Sequence, residues 1–218
     1  MRRIGMAVLG LGLVSAPLAG QRSALREVHD RGAFGADFVV AQPLGEFSRN
    51  GDVAGGLQIF GVTSGGLLAL RVEANWMAYD TQYQGYGVST VSQIGSLGAG
   101  PQLTIGGGAL RFYGFATMGG SLFWSNASFQ GCGCSGSDWL DGHTTWMRSA
   151  GGGVLLGITA GHTPIAIDVG MRGVRHDRVT YVPSGGLTQN PDGTFSAQQV
   201  TTPVDMRVYQ VGVSIGIR

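Results

Sequence analysis

From Tyr209 to Arg218 the chain reads YQVGVSIGIR, with Tyr209, Val211, Val213, Ile215 and Ile217 apolar and Gln210, Gly212, Ser214, Gly216 and Arg218 between them. A period of two places the apolar set on one face of a β-strand. The opposite face is mostly Gly and Ser. Leu67–Tyr79 repeats the pattern: Leu68, Leu70, Val72, Ala74, Trp76 and Ala78 alternate with Ala69, Arg71, Glu73, Asn75, Met77 and Tyr79. In Ser92–Ile105 the apolar row is Leu97, Ala99, Leu103 and Ile105, against Gly98, Gly100, Gln102 and Thr104. In Pro164–Arg175 it is Ile165, Ile167, Val169 and Met171, against Ala166, Asp168, Gly170 and Arg172. Four further strands are predicted at about Phe34–Gln42, Gly55–Val62, Leu110–Trp124 and Thr145–Ile158, which brings the total to eight. In Leu110–Trp124 the aromatic residues Phe112, Tyr113, Phe115, Phe123 and Trp124 fall on both faces, and Arg111 fits either the interior or the rim.

The connections alternate in length. Pro43–Ala54, Asp80–Val91, Ser125–Thr144 and His176–Pro203 are long; Thr63–Gly66, Gly106–Gly108 and Thr159–His162 are short. Short turns at one end and long loops at the other are the layout of an outer-membrane barrel. Several strands reach the roughly 9–11 residues that a tilted membrane strand needs, beyond the soluble mode of about 5–6. A closed barrel pairs every backbone N–H and C=O, as a medium without water demands.

Composition strengthens this reading. Charged residues make up 12% of the 218, against roughly 25% in an ordinary soluble domain. Glycine occurs 40 times, all 14 basic residues are Arg, and the net charge is +1, so nothing favours nucleic acid as a partner. The start, MRRIGMAVLGLGLVSAPLAGQ, has two Arg, an apolar run from Ile4 to Val14 and then small residues. It reads as a secretory signal peptide over 1–20, cleaved near Gly20 or Gln21, and its run is too short for a spanning helix. Residues 21–33 are expected to form a periplasmic tail or a partial plug, and 34–218 the barrel.

The fold expected is therefore an all-β, eight-stranded antiparallel up-and-down transmembrane β-barrel. Its apolar faces meet lipid, and Gly, Ser and Ala on the inner faces allow a narrow bore. Asp37, Arg71, Glu73, Asp168 and Arg172 all lie opposite their strand's apolar row. They are expected to form an interior charge network, because a lone buried charge costs several kcal/mol. Trp76, Tyr79, Trp124, Trp146 and Tyr209 are candidates for interfacial aromatic belts.

Three stretches carry a resemblance: VAQPLGEF (Val40–Phe47), GGLLALRVEANWMAYD (Gly65–Asp80) and GPQLTIGGGALRFYGFATMGGSLFW (Gly100–Trp124). Together they resemble the small outer-membrane β-barrel proteins, the class of the outer-membrane protein A membrane domain and outer-membrane protein X. The resemblance implies an outer-membrane location and a monomer. It also implies contact with outer-membrane lipid and with the barrel-assembly machinery, and a structural or surface-interaction role in which long loops meet an extracellular ligand. The family usually closes on an aromatic residue; here the last residues are Ile217 and Arg218.

Candidate chemistry is sparse. Cys132 and Cys134 are expected to form a loop disulfide in an exported protein; zinc held by them with His143 or Asp138 is the alternative. His29, His143, His162 and His176 show no catalytic spacing. Some eight-stranded barrels modify lipid A acyl chains, and His176, Asp177 and Ser125 or Ser128 are the residues here for such a group. GGGVLLG (Gly151–Gly157) is no Walker loop in a chain without Lys. No enzyme activity, cofactor or metal is expected. A soluble lipocalin-like binding barrel is the remaining alternative, and it requires the apolar faces to point inward.

Overall fold

The computed structural model describes residues 32–49, 51–63, 66–79, 82–83, 88–131, 134–159, 163–181, 187–190 and 195–217. The expected signal peptide, nearly all of the 21–33 segment and Cys132 lie outside the described residues, as does the side chain of Cys134. Eight strands form the wall: β1 (Gly32–Leu44), β2 (Ala54–Val62), β3 (Leu68–Tyr79), β4 (Val88–Gly107), β5 (Leu110–Gly131), β6 (Cys134–Gly157), β7 (Ile165–Tyr181) and β8 (Val200–Ile217). Each pairs antiparallel with the next, and β1 pairs with β8 from Gly32↔Ile217 to Leu44↔Asp205. The sheet thus closes into an eight-stranded antiparallel barrel with no free edge. Tight turns between β2 and β3 and between β4 and β5 use glycine at positive φ, at Gly66 (66°) and Gly108 (64°), where a Cβ would be strained.

The strands run further toward the loop end than the apolar alternation suggests. β5 and β6 stay paired up to Gly131↔Cys134, so most of the stretch read as the loop Ser125–Thr144 is hairpin. Likewise β7 and β8 pair up to Tyr181↔Val200, across much of His176–Pro203. The apolar alternation ends before the strands do because the outward side chains change character.

That change is clearest on β8. Its outward residues Tyr209, Val211, Val213, Ile215 and Ile217 are exposed and apolar, while Gln210 and Ser214 are buried. One step toward the loop end the polarity reverses, with Val204, Met206 and Val208 buried and Arg207 exposed. On β7, outward Ile167, Val169 and Met171 give way to Arg175 and Asp177, while inward Asp168 and Arg172 give way to Val174. Every strand adds to the outward apolar belt, among them Phe38 (69% exposed), Leu57, Leu70, Leu97 (66%), Met118 (64%), Leu156, Val169 and Val211. This arrangement is the reverse of a lipocalin-like barrel. Beyond the belt β7 and β8 continue with apolar residues inside and polar residues outside, as in a water-soluble barrel.

An interior this narrow admits large side chains only opposite small ones. Gly35 faces Phe60 across the β1–β2 pair, and a Cβ on Gly35 would lie 2.3 Å from the ring. Gly35→Leu is therefore expected to displace Phe60 and lower stability by about 1–3 kcal/mol. Gly55→Ala, where a Cβ meets nothing within 4 Å, is expected to leave stability nearly unchanged. Thermal unfolding of both variants in detergent micelles checks the contrast.

Candidate functional site

The long polar side chains inside the barrel stand opposite glycines. Across paired strands Arg71 faces Gly100, Glu73 faces Gly98, Arg172 faces Gly151, Gln210 faces Gly170, and both Asp37 and Asp168 face Gly212. A Cβ on Gly212 would sit 2.3 Å from Asp37 Oδ1, and one on Gly151 would sit 2.4 Å from Arg172 Cβ. These glycines provide the volume that the charged residues fill.

Glu73 is the hub. Its Oε2 accepts from Arg71 Nε at 2.8 Å, and its Oε1 accepts from Arg172 Nη1 at 2.8 Å and from Thr117 Oγ1 at 3.0 Å. Arg172 also donates through Nη2 to Asn75 Oδ1 at 2.5 Å. Because β3 and β7 are on opposite sides of the ring, the Glu73–Arg172 pair ties opposite walls across the bore. Arg71 donates through Nη1 to Gln102 Oε1 at 3.0 Å, and its guanidinium lies 4.0 Å from the Phe60 ring centroid and 4.4 Å from that of Phe115. Charge, hydrogen bonds and ring faces all hold this cation. Arg71 and Glu73 are each 1% exposed, so their ion pair lies outside the screening reach of solvent.

Asp37 and Asp168 are also buried, but their contacts are with neutral groups. Tyr113 donates its hydroxyl to Asp168 Oδ1 at 2.5 Å. Gln210 Nε2 lies 3.0 Å from the Tyr113 hydroxyl oxygen and 3.3 Å from Asp37 Oδ2. One amide and one phenol thus bridge the two carboxylates. Toward the short-turn end, Arg71, Arg111, Asp168, Tyr113, Gln102, Thr104 and Ser214 line a cavity of about 50 Å³. Arg111 therefore points inward at the turn end. Strand β5 as a whole is ordered: Tyr113, Phe115 and Phe123 point in, and Phe112 and Trp124 point out.

At the loop end the bore is filled by Val39, Ala41, Phe47, Ala54, Met77, Ile94, Phe123, Met147, Val174, Val179, Val204, Met206 and Val208. Phe47, in a single 3₁₀ turn after β1, meets Tyr79 and Tyr181 edge-on at centroid distances of 5.8 and 5.5 Å. Tyr79 is thus an interior residue and not part of an outer aromatic belt. Trp76, Trp146 and Tyr209 do face outward. The sequence reading missed this apolar plug, whose signal is the reversal of polarity toward the loop end of β7 and β8.

His176 belongs to the same layer. Its Nδ1 is 3.0 Å from Val204 O and its Nε2 3.0 Å from Ser121 Oγ, with His176 4% and Ser121 1% exposed. Asp177, the next residue, points out and pairs with Arg148 at 2.9 Å. Neighbours on a strand face opposite sides, so His176 and Asp177 do not converge on one substrate. Ser125 is inside, with its Oγ 2.9 Å from Ser92 Oγ, and the side chain of Ser128 lies outside the described residues. Among the described residues no three His, Cys, Asp or Glu side chains are grouped to hold a metal ion.

The hub sets the expected response to mutation. Glu73→Ala leaves two buried guanidiniums facing each other and is expected to cost about 3–5 kcal/mol. Glu73→Gln, which keeps an acceptor oxygen, is expected to cost less. Urea unfolding in micelles, followed by Trp fluorescence, measures both.

The chain matches no family model and no curated protein. Solved structures do resemble it. The barrel is similar to Neisserial surface protein A, at 16% identity over 85% of this chain and 97% of that one, with a TM-score of 0.51. Looser likenesses are a major outer membrane protein from Thermus thermophilus (11% identity, 85% and 99% coverage, TM-score 0.49) and Ail, the attachment invasion locus protein of Yersinia pestis (12%, 86% and 97%, 0.46). At these identities what the chain shares with Neisserial surface protein A is the eight-stranded barrel fold.

Proposed function

We propose that the chain is an exported outer-membrane β-barrel protein, inserted as a monomer by the barrel-assembly machinery, with its short turns in the periplasm. Its role is structural or surface-interacting and not catalytic, with an extracellular ligand met by the long-loop end. The observation that carries this reading is the outward apolar belt. In water such a surface would drive aggregation, whereas in a bilayer it matches the hydrocarbon. The asymmetry of the connections supports it, as does the leader-like sequence at 1–20. The fold shared with a neisserial protein described as a surface protein is consistent with it. The interior supports a closed body over an open pore: the ionic layer fills the middle and the apolar plug fills the loop end.

Heat modifiability tests the reading. The chain from Gln21 onward, refolded in micelles, is expected to migrate faster on an SDS gel when unboiled, and to gain β-sheet circular dichroism only with an amphiphile present. A chain that folds in plain buffer and shows no band shift contradicts it.

A further inference from the structure

Among the described residues, the outward faces of β1 to β5 carry no charged side chain. The outward charges of the wall gather on three adjacent strands, as Arg148 on β6, Arg175, Asp177 and Arg178 on β7, and Asp205 and Arg207 on β8. They form one cluster. Arg148 is directly opposite Arg175, and Arg175 is directly opposite Asp205. Arg207 pairs with Gly173 and so stands diagonal to Arg175. Among the side chains described, four Arg against two Asp leave an excess of two positive charges; the side chains of Asp138 and Asp141 on β6 lie outside the described residues. Arg148 and Asp177 form an exposed ion pair, with side chains 70% and 53% exposed, and among the described residues Arg175, Arg178 and Arg207 form none. Like charges directly opposite on a sheet repel, which is a cost without a partner.

The height of the cluster is as telling as its charge. On β8 the next outward residue toward the turn end is Tyr209, and on β7 Met171 follows after Gly173; both are the last of the apolar belt. Inside the barrel the same level is where Asp168 and Arg172 give way to Val174, Val208 and the plug. Trp146, 68% exposed, stands beside Arg148 on the same face of β6. The arginines therefore lie where the hydrocarbon ends, on one side of the barrel only, at the end that bears the long loops.

We propose that Arg148, Arg175 and Arg207 form a docking surface for an anionic, phosphomonoester-bearing lipid headgroup in the leaflet on the loop side. Arg175 and the N–H groups of Arg148 not held by Asp177 share one phosphate, Arg207 neutralises a second charge, and the acyl chains run down the apolar wall past Met171, Tyr209 and Val211. This proposal rests on the membrane reading above.

The test uses the chain folded in zwitterionic micelles doped with phosphatidic acid or with phosphatidylcholine, with retained lipid read by native mass spectrometry. The wild type is expected to retain phosphatidic acid at least about tenfold over phosphatidylcholine. The triple variant R148Q/R175Q/R207Q is expected to lose the preference while still running as a heat-modifiable band. Arg49→Gln, a loop arginine outside the cluster, is expected to keep it. Equal retention of the two lipids by folded wild type, or a preference that survives in the folded triple variant, overturns the proposal. Inorganic phosphate that displaces the lipid completely at equal concentration also overturns it, because the acyl chains then contribute nothing. A chain that does not fold in any amphiphile overturns the membrane reading itself, a result separate from these.

Discussion

The width of the bore governs this protein. Eight strands close with an interior only wide enough for side chains. Every inward group must therefore fit against the ones facing it and find its polar partners there. The glycines at 98, 100, 151, 170 and 212 meet the first demand, each standing across a strand pair from a long polar residue. Glu73 meets the second by joining Arg71 on its own strand to Arg172 on the far wall. A barrel whose interior contacts reach across the bore is braced against flattening. A larger residue at one of these glycines would push the charged groups off their partners, so the small and the charged positions depend on each other.

The same wall serves two environments along its length. Over the apolar belt, outward Leu, Val, Ile and Phe surround an inward ionic layer. Toward the loop end, β6, β7 and β8 carry outward Arg and Asp, and the bore holds an inward plug of Val, Met and Phe. The β7–β8 ladder continues through the reversal to Tyr181↔Val200, with one irregularity between Pro203 and Asp205, while the β6–β7 ladder ends at Met147↔His176. On the proposed membrane reading, the reversal marks where the hydrocarbon ends. It also explains why the bore can be sealed at one end by dispersion and burial while its middle is held by charge.

Much of this was legible in the sequence, and the reason is the period of two. Once Tyr209, Val211 and Val213 define one face, Gln210 and Gly212 must be on the other, and the faces of Arg71, Glu73, Asp168 and Arg172 follow in the same way. The partners did not follow. Nothing local says that Glu73 reaches a residue 99 positions away, or that Tyr113 and Gln210 link the two aspartates, because neutral residues give no charge signal. Nor does spacing reveal that His176 meets Ser121, 55 positions away, in place of Ser125. The loop-end half of the strands was hidden because its outward residues are polar, so a search for apolar rows stops at Tyr209 and at Met171. The glycines mark a small radius, and also the places opposite the large residues.

The central claim is that the apolar rows face lipid and the polar rows face the bore, with the sense reversed beyond Tyr209. Nitroxide labels placed one at a time at Arg207, Val208, Tyr209, Gln210, Val211, Val213 and Ser214, in a Cys132→Ser/Cys134→Ser background reconstituted in vesicles, measure it directly. Collisions with oxygen, which concentrates in hydrocarbon, should be high at Tyr209, Val211 and Val213 and low at Val208, Gln210 and Ser214. A water-soluble nickel complex should reach Arg207 best of all. Oxygen maxima at the even positions, or no alternation along the strand, would contradict the account.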